Sequence, residues 1–309
     1  MPQNVVTKKR VALDRMALLL DLGNGAEAVV RYAASLARCY GSEITLVHAS
    51  ESEGYLYVPG EPLPVWPESD GSVRESARKQ ADSLIEKLQV EDVVKGVLIS
   101  DLKIADLLED VEAHHPDLLL IAPHGRRGIR KLLAGSVTEQ VFRRSQWPIL
   151  VLPPACVDGV RQEQAGLRRI LFATDRSPQA AVALNYAAGL AEDHGSELRI
   201  LYAERDEKYD FTFDRLVELQ KLEDWLHEQN VEASDALDHA DCVVRFGEPW
   251  KQISECAQEW SADLIVMGAR GMGAAAGLAS HFVGGTAYEV ACSAPCPVLM
   301  VPEGVVNSM

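Results

Sequence analysis

The chain has 309 residues, 47% hydrophobic and 25% charged, a composition that excludes disordered and fibrous classes and a length that suits two domains of about 150 residues each. Thirty Lys and Arg against 46 Asp and Glu leave a formal charge of −16, which repels phosphate backbones and anionic lipid, so neither nucleic acid nor a membrane is expected as a partner. No apolar run reaches spanning length, and residues 1–10 carry Lys8, Lys9 and Arg10 without the apolar stretch and cleavage site of a signal peptide, so the expected location is cytoplasmic.

Cys39, Cys156, Cys242, Cys256, Cys292 and Cys296 are scattered without the dense spacing of a disulfide scaffold, and reduced thiols are expected. Cys292 and Cys296 are four apart, but Pro295 interrupts their helix and no His or second pair completes a metal set. No metal ligand is assigned.

In chain order, an internal repeat governs the reading. Ala17-Leu-Leu-Leu-Asp21 opens one half and Ile170-Leu-Phe-Ala-Thr-Asp175 the other, each a short apolar run ending in Asp. Matching helical stretches follow at 29–37 and 182–191. A glycine stop then leads into a second apolar run, Gly41-Ser-Glu-Ile-Thr-Leu-Val-His48 and Gly195-Ser-Glu-Leu-Arg-Ile-Leu-Tyr202, which reads as a helix C-cap feeding a buried strand. Third strands are expected at 93–99 and 243–246, with helices after them ending at His-Pro-Asp and Ser-Ala-Asp. Fourth strands fall at 118–122 and 264–267. A glycine-rich loop, a helix, a Pro and a last strand close each half, at Pro148-Ile-Leu-Val-Leu-Pro153 and Pro297-Val-Leu-Met-Val-Pro302.

Strands separated by helices run parallel with right-handed crossovers, and unbroken apolar strands mean that both sheet faces are covered. The fold class is therefore α/β, with two doubly wound five-stranded parallel sheets in tandem. The domains are expected at 1–154 and 169–309, with a polar, glycine-containing linker at 155–168. Residues 51–70, with four prolines, Tyr55, Tyr57 and Trp66, form a long loop that either lids a pocket or packs on the surface. Each half ends in an apolar strand whose edge needs a partner, so the halves should pack as an intramolecular pseudo-dimer.

Candidate chemistry lies after the fourth strand, where the first half reads Ala122-Pro-His124-Gly125-Arg126-Arg127-Gly128-Ile-Arg-Lys-Leu-Leu-Ala-Gly135-Ser136. Glycines let the backbone turn several N–H groups toward one anion, and Gly135-Ser136 opens a helix whose free N–H groups and positive dipole end favour phosphate. Four basic residues stand beside it in an otherwise acidic chain. Parallel sheets bind ligands at the carboxyl ends of their strands where the winding reverses, so Asp21 should face this loop. Neither G-x-x-x-x-G-K-[ST] nor G-x-G-x-x-G after the first strand occurs, which argues against a phosphoryl-transfer motor or a dinucleotide enzyme.

These features resemble the universal stress protein family, over nearly all of both halves. Its ATP-binding members carry G-x-x-G, nine residues, then G-[ST] after the fourth strand. Gly125, nine residues and Gly135-Ser136 fit, with Ala122 in place of the leading glycine. The second half keeps Gly268-Ala-Arg-Gly271, but twelve residues separate Gly271 from Gly284, and Gly285 stands where Ser or Thr belongs, with Thr286 one place later. The resemblance implies an adenine-nucleotide-binding stress-response protein with a Rossmann-like strand order of 3-2-1-4-5 in each half. It implies ATP, with Mg²⁺ on the phosphates, as ligand. Asp21 and Asp175 would sit at the adenine-ribose end, backbone near Val47 and Leu201 would frame the base, and the glycine loops with His124, Arg126 and Arg127 would hold phosphate.

Other readings stay open at this point. Some relatives act without nucleotide, as dimeric interaction scaffolds with degenerate sites, and the chain could also pair as a homodimer. On that reading the glycines make turns and the two Asp residues cap the helices that follow them. His114 and His115 end a helix before Pro116 and are structural. No nucleophile with its base, metal triad or carboxylate pair converges, so no enzyme is expected beyond weak ATP hydrolysis near Ser136 or Thr138.

Overall fold

The computed structural model describes residues 11–23, 25–49, 71–100, 109–122, 145–153, 156, 166–205, 212–229, 234–269 and 285–302. In the first half, β1 (Arg15–Leu19), α1 (Ala26–Tyr40), β2 (Glu43–Ala49), α2 (Ser72–Leu88), β3 (Val94–Ser100), β4 (Leu118–Ile121) and β5 (Ile149–Val151) follow one another. The second half runs β6 (Arg169–Thr174), α3 (Pro178–His194), β7 (Glu197–Glu204), α4 (Thr212–Glu228), α5 (Asp235–Asp238), β8 (Asp241–Phe246), α6 (Pro249–Trp260), β9 (Leu264–Gly268), α7 (Gly285–Ser293) and β10 (Val298–Val301). The single turn α5 was not expected from sequence, being too short to show a helical period.

The repeat is built by the same contacts twice. Gly41 (φ 72°) and Gly195 (φ 62°) end α1 and α3 in the left-handed conformation that a residue without Cβ adopts readily. The next N–H, of Ser42 or Ser196, closes back on the carbonyl of Ala37 or Ala191, both at 2.8 Å. The buried hydroxyls of Ser42 and Ser196 donate to the carbonyls of Leu13 and Leu167. The shared Gly-Ser-Glu therefore ends a helix and fastens the chain just before the first strand. Asp117 accepts from the N–H of Arg15 at 2.9 Å, and Asp263 accepts from those of Arg168 and Arg169 at 2.9 and 3.0 Å. These are the Asp residues of His-Pro-Asp and Ser-Ala-Asp.

Strand order within each half is 3-2-1-4-5, all parallel, as the alternation of strands and helices requires. The sheets are nonetheless not two. β5 and β10 pair antiparallel, with Val151 opposite Val298, Leu150 opposite Leu299 and Ile149 opposite Met300, giving one ten-stranded sheet in the order β3-β2-β1-β4-β5-β10-β9-β6-β7-β8. Each last strand is wholly buried and would otherwise leave an apolar edge open.

Side chains alternate across this sheet. Leu18, Leu46, Leu120, Leu150, Phe172, Val266 and Leu299 face the layer of α1, α2 and α3, whereas Ala17, Val47, Ile121, Val151, Leu201 and Met300 face the layer of α6 and α7. Across the seam, Tyr40 at the end of α1 meets His194 at the end of α3, its hydroxyl 2.7 Å from Nε2, and the N–H of Val11 donates to Asp193 at 3.0 Å. Burial, then the nearby Asp193, pushes the Tyr40 phenol above its ordinary pKa.

Candidate functional site

The winding reverses between β1 and β4 in the first half and between β6 and β9 in the second. Register brings Leu19 opposite both Val47 and Ile121, and the N–H of Leu20 donates to the Val47 carbonyl at 2.9 Å. Asp21, Val47 and Ala122 thus share the carboxyl edge at the switch point, where open α/β sheets bind ligands. Asp21 is exposed, whereas Val47 and Ala122 are buried. Any contact from Val47 to a ligand at this edge therefore comes from its backbone.

In the second half Ala173 pairs with Leu201 and Met267, which sets Asp175, Leu201 and Gly268 at the equivalent edge. Gly285 is the exposed first residue of α7 and Thr286 follows half-buried in its first turn. His124, Gly125, Arg126, Arg127, Gly128, Gly135, Ser136, Gly271 and Gly284 lie outside the described residues.

Neither Asp caps a helix directly. The Asp21 carboxylate accepts from the N–H of Gly23 at 3.2 Å, and that of Asp175 from the N–H of Ser177 at 3.0 Å. Both make the short turn that a side chain closes on the backbone two residues on. The caps proper are Gly25, which has no side-chain bond to give, and Ser177, whose hydroxyl accepts from the N–H of Ala180 at 3.2 Å with Pro178 at the helix start.

The halves differ one residue after the Asp. Leu22 stands in the first, and Arg176, in the left-handed region at φ 60°, in the second. The Arg176 guanidinium lies 3.7 Å over the Tyr202 ring and donates to Glu218 on α4 at 2.7 Å, while its Nη1 is buried without a hydrogen-bond partner. Lys221 also reaches Glu218, at 2.6 Å. Burial works to raise the Glu218 carboxyl, but the bonds from Lys221 and Arg176 outweigh it and hold the group below the ordinary carboxylate value. Tyr202 in turn donates to Glu204 at 2.8 Å, and burial, then that bond, pushes its phenol up to about 12. In the first half the place of Tyr202 is taken by His48, whose Nδ1 lies 2.9 Å from the Leu20 carbonyl. Sequence analysis missed this clasp. Its one signal was an arginine beside a strand-end Asp, and α4 supplies the carboxylate 42 positions later.

Among the described residues no group of three His, Cys, Asp or Glu side chains could hold a metal ion, and no helix is long and apolar enough to cross a membrane.

A mostly parallel, doubly wound sheet with its switch-point edge repeated in two halves defines a tandem α/β protein. The model of the universal stress protein family matches residues 13–153 and again 166–302, and the chain belongs to that family. It is similar to a universal stress protein of Synechocystis, 31% identical over 154 residues that make up 44% of this chain and 98% of that protein. A second such protein, of Thermus aquaticus, is 33% identical over 142 residues, 43% of this chain and 98% of its own length. A crystal structure of a universal stress protein from Archaeoglobus fulgidus, 24% identical, covers 95% of this chain and 98% of its own with a TM-score of 0.63, which shows the same fold over both halves.

Proposed function

We propose that the chain is a cytoplasmic, adenine-nucleotide-binding stress-response protein of regulatory or protective role, and that its first half holds ATP with Mg²⁺ on the phosphates. The observation that carries this reading is the convergence of Asp21, the Val47 backbone and Ala122 at one switch point, and the sequence that follows Ala122 has a spacing from Gly125 to Gly135-Ser136 that suits phosphate. Asp21 would take the ribose and the loop the phosphates. The division into 1–154, a linker at 155–168 and 169–309 belongs to the same reading, with the two domains acting as an intramolecular pair.

One observation favours a ligand-free scaffold instead: the Asp21 and Asp175 carboxylates already have backbone partners, so a turn-forming role alone accounts for both. Purified protein separates the readings. Absorbance and mass should reveal copurified adenine nucleotide, and calorimetry with magnesium should give micromolar affinity for ATP, weaker for NAD and weaker in salt. No copurified nucleotide and no heat would leave the scaffold.

A further inference from the structure

Two of the cysteines that sequence spacing left unassigned, Cys156 and Cys296, come near one another at the seam. Cys156, three residues beyond Pro153, directs its thiol at the carbonyl oxygen of Pro295 at 3.9 Å, across 139 positions of sequence. That carbonyl is bonded directly to the nitrogen of Cys296, whose Cα therefore lies about 3 Å from the same oxygen. The antiparallel pairing of β5 with β10 brings the chain leaving β5 to the side of the segment entering β10. A third group reports the same meeting: the Tyr32 phenol, raised first by burial, is raised further by Cys156 and by Cys296.

We propose that Cys156 and Cys296 are an oxidation-sensitive pair that closes to a disulfide under peroxide and locks the seam between the halves. Cys156 is half-buried, whereas Cys296 is buried. Peroxide therefore meets Cys156 first: its thiolate attacks one peroxide oxygen, the O–O bond breaks, water leaves and a sulfenic acid remains. The Cys296 sulfur then attacks that sulfur, forming the S–S bond and releasing a second water. The two thiols give up two electrons and two protons, and the peroxide accepts both. Two other thiols are disfavoured, since burial raises those of Cys242, to about 11, and Cys256.

The bridge would fasten the first residues after β5 to the head of β10 and close a loop of well over a hundred residues. It limits the unfolded chain more than the folded one. The proposal is independent of nucleotide binding.

The test is peroxide treatment of the full chain, blocking of remaining thiols, and peptide mapping by mass spectrometry with and without reductant, alongside thermal unfolding. A reductant-sensitive peptide joining Cys156 to Cys296 in monomeric protein is expected, with Tm raised by roughly 5–10 °C. C156S should lose both the peptide and the shift. C296S replaces a buried group and serves only as a second map. Peroxide-treated protein that lacks this peptide overturns the proposal, whether its thiols stay reduced, join Cys292 to Cys296, or link separate chains.

Discussion

Asp117 and Asp263 are architectural residues that fasten the start of the first strand in each half. Each lies at the end of a helix, before the fourth strand of its half, and each accepts hydrogen bonds from the start of the first strand. Asp263 serves two N–H groups and Asp117 one, with Arg15 adding an ion pair at 4.0 Å whose exposure makes it weak. Replacing Asp263 by Ala leaves two strand-start donors without their acceptor and should cost about 2–3 kcal/mol, against about 1 kcal/mol for Asp117→Ala. Urea midpoints at constant slope would measure the difference, and equal losses would show that the two corners are not built alike. Glu218 gives a pH-dependent counterpart. Its folded pKa lies below the ordinary 4.5, so its contribution is complete above that value and is lost as pH falls through the lowered one. Glu218→Gln should therefore lower stability at pH 7 by about 1–2 kcal/mol, and the gap to the parent should shrink as pH falls below 4.5. A gap that stays constant with pH would mean that Arg176 and Lys221 do not hold the carboxylate in solution.

At the scale of elements, the strands were legible because parallel strands covered on both faces read as unbroken apolar runs. Helix limits were less so: 29–37 and 182–191 mark the apolar cores of α1 and α3, which extend to Ala26–Tyr40 and Pro178–His194. Their outer turns carry Arg38, Glu192 and Asp193, polar residues that a pattern of burial does not register. Asp21 and Asp175 were legible as strand-end residues, but their turn geometry was not, since capping and turn-forming Asp look alike in sequence. The Arg176 clasp was hidden because it joins residues distant in sequence, and no local period marks such a contact. The need of β5 and β10 for partners could be read from their apolar edges, whereas their joining into a single sheet depends on chain connectivity across 155–168. Leu299, 5% exposed at the seam, tests that join. Leu299→Ala should destabilise the protein by about 2–4 kcal/mol through the cavity it leaves, read as a lowered urea midpoint. A change under 0.5 kcal/mol would place Leu299 outside the folding core.

The whole molecule joins two copies of one unit through a continuous sheet, and its energetics should follow. With β5 and β10 paired and Tyr40, His194, Val11 and Asp193 bonded across the join, the halves should unfold together in one calorimetric transition, with calorimetric and van't Hoff enthalpies equal. Two resolved transitions would show that the seam does not couple them. Function, in contrast, should be unequal between the halves. The first keeps the nine-residue spacing and Ser136, with four basic residues close by; the second has a longer, nearly uncharged loop. The most direct test is the stoichiometry of ATP binding in calorimetry for the parent, Gly135→Val and Gly284→Val, because on the proposed reading a branched side chain at either glycine would block approach of phosphate to backbone N–H groups. The account predicts that Gly135→Val abolishes most binding while Gly284→Val retains it; full binding by Gly135→Val with loss in Gly284→Val would contradict it.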